Sequence, residues 1–362
     1  MKPDPNKPFN NLPFLPPKDF SETDVILKQL IKTHKALAEL KGYSELLPNK
    51  DIILSSITIK EAKDSSEIEN IITTHDELYK SLILRKNITK PEVKEVINYR
   101  KAIYKGYNLI KKHWLLTTNI IIEIQKEIEG NSAGIRKLPG TKLINDKTNE
   151  VYYTPPDREE IILNLLKNLE EFINSDEDGF DPLTKLALIH YQFEAIQPFY
   201  DANGRTGRII NVLYLVLKNL LSEPFLYLSG YLTEHKSEYY RLLRNVTYKN
   251  EWEEWVVFML KAIEETSFRT LNLSKKIVEA MNETSEKIKS QIPKIYSKEL
   301  VEILYSNVYT KISMLVDNKI ASRNIAARYL KELEKIGIVK SEKVGKEKIF
   351  INSRLFEILK SQ

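Results

Sequence analysis

The segment from Gln197 to Arg208, Gln-Pro-Phe-Tyr-Asp-Ala-Asn-Gly-Arg-Thr-Gly-Arg, sets a carboxylate, a small-residue turn and two arginines between two apolar runs. These residue types suit a phosphate. Asp201 offers a hard oxygen to a divalent cation, Asn203 and Gly204 let backbone N–H groups converge in a tight turn, and Arg205 and Arg208 supply charged forks. Residues 209–217 have the length and apolar density of a buried helix, so the turn stands at a helix N-terminus, whose dipole favours anions. A turn of this composition also serves as a plain helix-capping loop. The segment holds no proton carrier.

The whole string resembles the signature of the Fic (Fido) family, His-x-Phe-x-[Asp/Glu]-[Gly/Ala]-Asn-Gly-Arg-x-x-Arg, at every defined position except the first, where the histidine is Gln197. In that family the histidine deprotonates a target hydroxyl, the acidic residue binds magnesium, and the Asn-Gly-Arg turn forms an anion hole for nucleotide. The resemblance implies Asp201 for Mg2+, Asn203, Gly204 and Arg205 for the α- and β-phosphates of ATP, and Arg208 for the γ-phosphate. Thr206 and Gly207 complete the nucleotide-holding turn. The stretch with Tyr239 and Tyr240 resembles the part that closes over the adenine, and these two are its expected stacking residues; aromatics at helical spacing are otherwise core.

Upstream, residues 134–136, 141–144 and 151–156 read as short strands around a polar turn from Asn145 to Glu150. They resemble the family's flap, which aligns a protein substrate by strand addition along residues 141–153. An ordinary edge hairpin has the same pattern. Further upstream, Ser65 to Asn70 resembles the inhibitory pattern [Ser/Thr]-x-x-x-Glu-[Gly/Asn], in which Glu69 pairs with Arg208 and blocks γ-phosphate placement. Ser66-x-x-Glu69 also reads as a capping box at a helix start.

The 362 residues are 42% hydrophobic and 29% charged, which is globular composition with room for two or three domains. Zero cysteines exclude a disulfide framework, a thiol nucleophile and Cys-based zinc sites. No signal-like or membrane-spanning apolar segment is apparent, so a cytoplasmic protein is expected. A net charge of +5 is too small to argue for nucleic acid from the total. Homodimerisation is left open.

The fold class expected is mainly α, a Fic helical core with a β-hairpin flap, plus a small C-terminal winged helix-turn-helix domain. The expected divisions are an N-terminal arm and helical region with the inhibitory helix over 1–110, the core over 111–263, a helical linker over 264–291 and the winged helix over 292–362. The arm is expected to pack through Phe14 and Leu15. In the C-terminal unit, residues 298–305, 310–316 and 322–336 read as helices, and 338–340 and 348–351 as strands joined at Gly345. Ser322 is the expected N-cap, with Arg323, Asn324 and Arg328 placed to meet DNA. Basic residues outnumber acidic ones only modestly there, and such modules also dock proteins.

Gln197 decides the chemistry. An amide can orient a hydroxyl but cannot take its proton, and losing a general base forfeits on the order of 10² to 10⁴ in rate. His190 lies about two helical turns earlier, roughly 10 Å along an axis, and reads as a packed or helix-orienting histidine. Two functions are therefore weighed. One is transfer of AMP from Mg-ATP to a protein hydroxyl, restrained by Glu69 and impaired or altered by Gln197. The other is a catalytically silent nucleotide-binding regulator acting through the winged helix on DNA or a protein partner.

Overall fold

The structure, a computed structural model, describes residues 3–47, 49–84, 90–144, 149–344 and 347–360. It is mainly helical. The first helices are α1 (Asp24–Glu45), α2 (Lys50–Ile68), α3 (His75–Leu84), α4 (Pro91–His113) and α5 (Thr118–Glu129). A short antiparallel hairpin follows, β1 (Leu143–Ile144) and β2 (Val151–Tyr153), with Leu143 opposite Tyr153. Its strands are shorter than the sequence suggested, residues 134–136 supply only a single bridge from Ile135 to Phe199, and 145–148 lie outside the described residues. Then come α6 (Glu159–Asn174), α7 (Pro182–Ile196), α8 (Asn203–Leu217), α9 (Ser229–Glu234), α10 (Lys236–Lys249) and α11 (Trp252–Gln291).

Helices α7 and α8 are buried along nearly their whole length, polar residues such as Lys185, Arg205 and Arg208 included. Around them α1, α4, α5, α6 and the first half of α11 close one large apolar cluster. The N-terminal arm joins it through Leu12 and Leu15, and Phe9 meets Tyr153 edge-on at 6.5 Å. Phe14, expected to pack, is 56% exposed.

The C-terminal residues form α12 (Lys298–Ser306), β3 (Tyr309–Thr310), α13 (Ile312–Asp317), α14 (Arg323–Lys335), β4 (Val339–Val344), β5 (Glu347–Asn352) and α15 (Ser353–Lys360). The sheet order is β3-β5-β4, antiparallel throughout. Thr310, expected to open a helix, is instead strand together with Tyr309, because the two pair with Phe350 and Ile351 from far along the chain. Ser322 stands at the N-cap of α14 without a side-chain capping bond. The turn expected at Gly345 lies outside the described residues.

This unit is not packed on its own. Its Leu300, Leu304, Tyr305 and Leu330 share one cluster with Ile52, Ile53 and Ile57 of α2 and Leu273 and Ile277 of α11. Residues 264–291, expected as a helical linker, are helical and form the uninterrupted second half of α11, a single helix of 40 residues. Asn49 donates to Glu302 at 3.0 Å, and Lys80 of α3 to Glu342 of β4 at 2.7 Å.

Candidate functional site

The site is the junction between α7 and α8. Asp181 caps α7 by accepting from Leu183 N at 2.8 Å, and Pro182 takes the first helical position. The helix stops at Gln197, whose backbone is left-handed (φ 47°) and whose N–H reaches Phe193 O; Pro198 then bars continuation. Arg136, fully buried, holds this exit. Its Nε donates to Gln197 O at 2.6 Å, its Nη2 donates to Ile196 O at 3.2 Å and to Pro156 O, and its N–H reaches Pro198 O at 2.9 Å.

From there the chain runs to Ala202, again left-handed, and opens α8. Asn203 shapes this loop: its side chain donates to Phe199 O and accepts from Phe199 N, both at 2.8 Å. The amide that the sequence reading gave to a phosphate is thus engaged in holding the turn. The first-turn N–H groups of α8, around Gly204 and Arg205, point out of the helix end.

Both arginines are buried and bound by carboxylates. Arg205 donates Nε to Glu69 Oε2 at 2.9 Å, Nη1 to Glu95 Oε2 at 2.8 Å and Nη2 to Glu129 Oε1 at 3.1 Å. Arg208 donates Nη2 to Glu69 Oε1 at 2.7 Å and to Ser65 O at 2.9 Å, and Nε to Ser65 Oγ at 2.7 Å. Burial works against the Arg208 charge, but Glu69 and the surrounding Tyr99, Tyr239 and Glu194 hold it firmly protonated. The Glu129 carboxyl is pushed up by burial and by the charge of Asp201, with Arg205 opposing. Gly204 admits this packing, since a Cβ there would stand 2.6 Å from Glu69 Oε1 and 2.9 Å from Arg208 Nη1.

Glu69 is the residue that ends α2, not one that begins a helix, so the capping box read at Ser66 is corrected. Ser66 instead donates to Ala62 O one turn back. The capping box lies further on, where Thr74 and Glu77 bond reciprocally at 3.3 Å ahead of α3.

Asp201 has a side chain 73% exposed, with Oδ1 accepting from Ala202 N at 2.6 Å. Among the described residues no group of three or more His, Cys, Asp or Glu could hold a metal by itself. One open carboxylate fits magnesium, which keeps waters and takes one or two carboxylates beside substrate phosphates. Asp201 would hold it there.

Tyr239 is corrected as a stacking residue. It is 1% exposed, its ring packs between Tyr240, Trp255 and His190, and its OH lies 2.9 Å from His190 Nε2. Tyr240 is half-buried and lines a narrow cleft under the hairpin with Leu143, Tyr152, Tyr191, Glu194 and Arg244. His190 is buried against Trp255, and burial with the charge of Arg208 pushes it down to about 3, so it is neutral.

Sequence reasoning missed Glu194. It lies three residues before Gln197, whose Nε2 donates to Glu194 O at 3.0 Å and Oε2 at 3.2 Å. The i, i+3 spacing on a helix was the available signal. Arg323, Asn324 and Arg328 lie exposed on α14, remote in sequence from this site. Among the described residues no helix is long and apolar enough to cross a membrane.

Three family profiles match in succession: the Fic/DOC family N-terminal region over residues 27–108, the Fic/DOC family over 115–215, and the C-terminal domain of the SoFic-like protein adenylyltransferases over 280–355. A probable protein adenylyltransferase of Aquifex aeolicus is 28% identical over 174 residues, 48% of this chain and 52% of that protein. The protein adenylyltransferase fic-1 of Caenorhabditis elegans is 27% identical over 106 residues, 28% of this chain and 20% of that one. The chain thus aligns with about half, or less, of the length of these relatives. Among solved structures, a Fic family protein from Desulfovibrio desulfuricans G20 superposes with a TM-score of 0.60 over 92% of this chain and 97% of that one, at 16% identity. Fic-1 of C. elegans gives 0.52 over 68% and 71%, at 19% identity. At such identities the likeness is one of fold.

Proposed function

We propose that this chain, which matches Fic/DOC family profiles over residues 27–108 and 115–215, transfers AMP from Mg-ATP to a hydroxyl of a protein and that Glu69 restrains this transfer. The observation that carries the reading is the carboxylate of Glu69 laid across both arginines of the turn, where an anion of the right size would otherwise sit. A pair of buried guanidinium groups at a helix N-terminus is a phosphate cradle, and a carboxylate filling it is a competing anion.

In this mechanism the target oxygen forms a bond to the α-phosphorus, the bond from that phosphorus to the bridging β-oxygen breaks, and pyrophosphate leaves. Arg208, released from Glu69, and Arg205 bind the phosphates, and the first-turn N–H groups of α8 orient them. Magnesium, when bound, neutralises phosphate charge beside Asp201. Arg136 keeps Gln197 at the mouth of the turn. The hairpin presents the target by strand addition along β1 and β2, with Ile144 exposed. The C-terminal unit is read as a winged helix that docks DNA through Arg323, Asn324 and Arg328 or docks a protein partner.

The test is label transfer from α-labelled ATP to bacterial lysate protein by the parent, Glu69→Gly and Glu69→Gly/Gln197→His chains. The double variant is expected to label protein about 10²-fold faster than the parent. A double variant that binds ATP yet transfers nothing would sink the reading. It would favour the silent regulator, which Gln197 at the base position supports.

A further inference from the structure

One carboxylate is built into this site without a part in holding nucleotide. Glu194 occupies the last turn of α7, half-buried, and the Gln197 amide reaches its Oε2 at 3.2 Å. Its Oε1 is closed to solvent and has no hydrogen-bond partner among the described residues. The opposing face of α8 is bare where it meets this oxygen, for a Cβ on Gly207 would stand 2.6 Å from Oε1. The same side chain lines the cleft under the hairpin beside Leu143, Tyr152 and Tyr240, where a strand-added target segment would present its hydroxyl.

A carboxylate with one oxygen shut from solvent and unpartnered calls for a functional explanation, and it retains basicity because this burial outweighs what Arg208 and the one amide donor do for its charge. We propose that Glu194 is the proton acceptor of this chain, doing beside Gln197 what the histidine does in relatives that keep it. The proposal rests on the AMP-transfer reading above. The target hydroxyl loses its proton to Glu194 Oε2 as its oxygen bonds to the α-phosphorus; pyrophosphate departs with the electrons of the broken P–O bond. Glu194, now a neutral acid, returns the proton to solvent after the product leaves. Gln197 is a positioning residue that fixes the carboxylate through its amide.

The groups facing Glu194 agree with this role. Arg208 comes from α8, Glu69 from α2, Tyr239, Tyr240 and Arg244 from α10, Tyr152 from the hairpin and Tyr191 from α7 itself. Burial pushes the carboxyl up to about 7, the negative charge of Glu69 adds to this, and Arg208 and the Gln197 bond oppose it. A base poised near neutrality is the efficient one at neutral pH.

The experiment uses the full chain in the Glu69→Gly background, α-labelled ATP and lysate protein as acceptor. Glu69→Gly is expected to transfer label with a rate that rises with pH through an apparent pKa at or below about 7. Adding Glu194→Gln is expected to cut the rate about 10²-fold or more while ATP affinity by calorimetry stays within about twofold. Adding Gln197→His to that double variant restores transfer, which loss of mere packing at Glu194 would not allow. Equal transfer with Glu194→Gln overturns the proposal, as does loss of ATP binding in that variant. A silent Glu69→Gly beside an active Glu69→Gly/Gln197→His overturns it while leaving AMP transfer standing. Silence of both, with ATP bound, overturns the two together.

Discussion

Arg208 donates Nη2 to Glu69 Oε1 at 2.7 Å, although 139 residues separate them in sequence and Arg208 is only 2% exposed. The arginine is therefore already paired before any nucleotide arrives. Its value to ATP depends on whether Glu69 is present. In the Glu69→Gly background, Arg208→Ala is expected to weaken ATP binding about 10- to 100-fold, the worth of a charge-assisted bond. In the parent the same change costs less than about threefold, because it also removes the partner that Glu69 occupies. Calorimetry in the two backgrounds decides; identical losses would make Glu69 a bystander.

Arg205 stays engaged when Glu69 is removed, since Glu95 and Glu129 still hold its Nη1 and Nη2. Release of this arginine is thus a second step. Adding Glu95→Gln and Glu129→Gln to Glu69→Gly is expected to tighten ATP a further threefold to tenfold or so, as partly exposed ion pairs of this kind are worth about 1 kcal/mol. No change in dissociation constant on the added substitutions would mean that Glu69 alone gates the turn.

Glu61, on the same helix as Glu69, is 1% exposed and accepts from Ser229 N at 2.9 Å, Ser229 Oγ at 2.6 Å and Tyr99 OH at 3.0 Å. Burial pushes its carboxyl from 4.5 up to about 7 despite these bonds. Between those values the folded chain binds a proton that the unfolded chain has released. Stability from this group is therefore full at low pH and declines as pH rises through the window, by up to about 3 kcal/mol. Glu61→Gln removes the dependence. Urea midpoints at about pH 5 and pH 8 should diverge in parent but not variant, after the shared background is subtracted; parallel midpoints would refute it.

Arg323 and Arg328 are exposed on α14, whose N-terminus starts at Ser322. If this helix meets DNA, affinity of the full chain for its promoter falls steeply with salt, and Arg328→Ala lowers the log–log slope by about one. A salt-independent shift, or none, would assign the unit to protein docking.

The tight turn that opens α8 with its two arginines was legible because its residue types are contiguous and their roles local. Helix α14 and the β4–β5 hairpin were legible for the same reason. The Glu69–Arg208 pair could be reached only through family resemblance, since nothing in either local sequence points to the other. Ser66-x-x-Glu69 misled because the same Ser-x-x-Glu spacing also occurs at the end of a helix, as it does here. The apolar run at 52–59 lies before it, which marks a helix ending, and the working box is at Thr74 and Glu77. Tyr239 misled because stacking and core packing ask for the same ring. Strand β3 was invisible because its two residues become strand only by pairing with β5. Glu194 carried one local signal, its i, i+3 spacing to Gln197, but the burial that pushes its carboxyl up arises only in the fold.

Helix α2 gives Ala62 and Ile68 to one apolar cluster and Ile52, Ile53 and Ile57 to the other, and α11 spans both in the same way. Cutting the chain after Gln291 would therefore strip apolar faces from both pieces at once. Heat should melt the whole protein in a single cooperative transition, with no intermediate in which one end has melted and the other persists. Isolated C-terminal fragments should be sticky and quickly degraded by proteases.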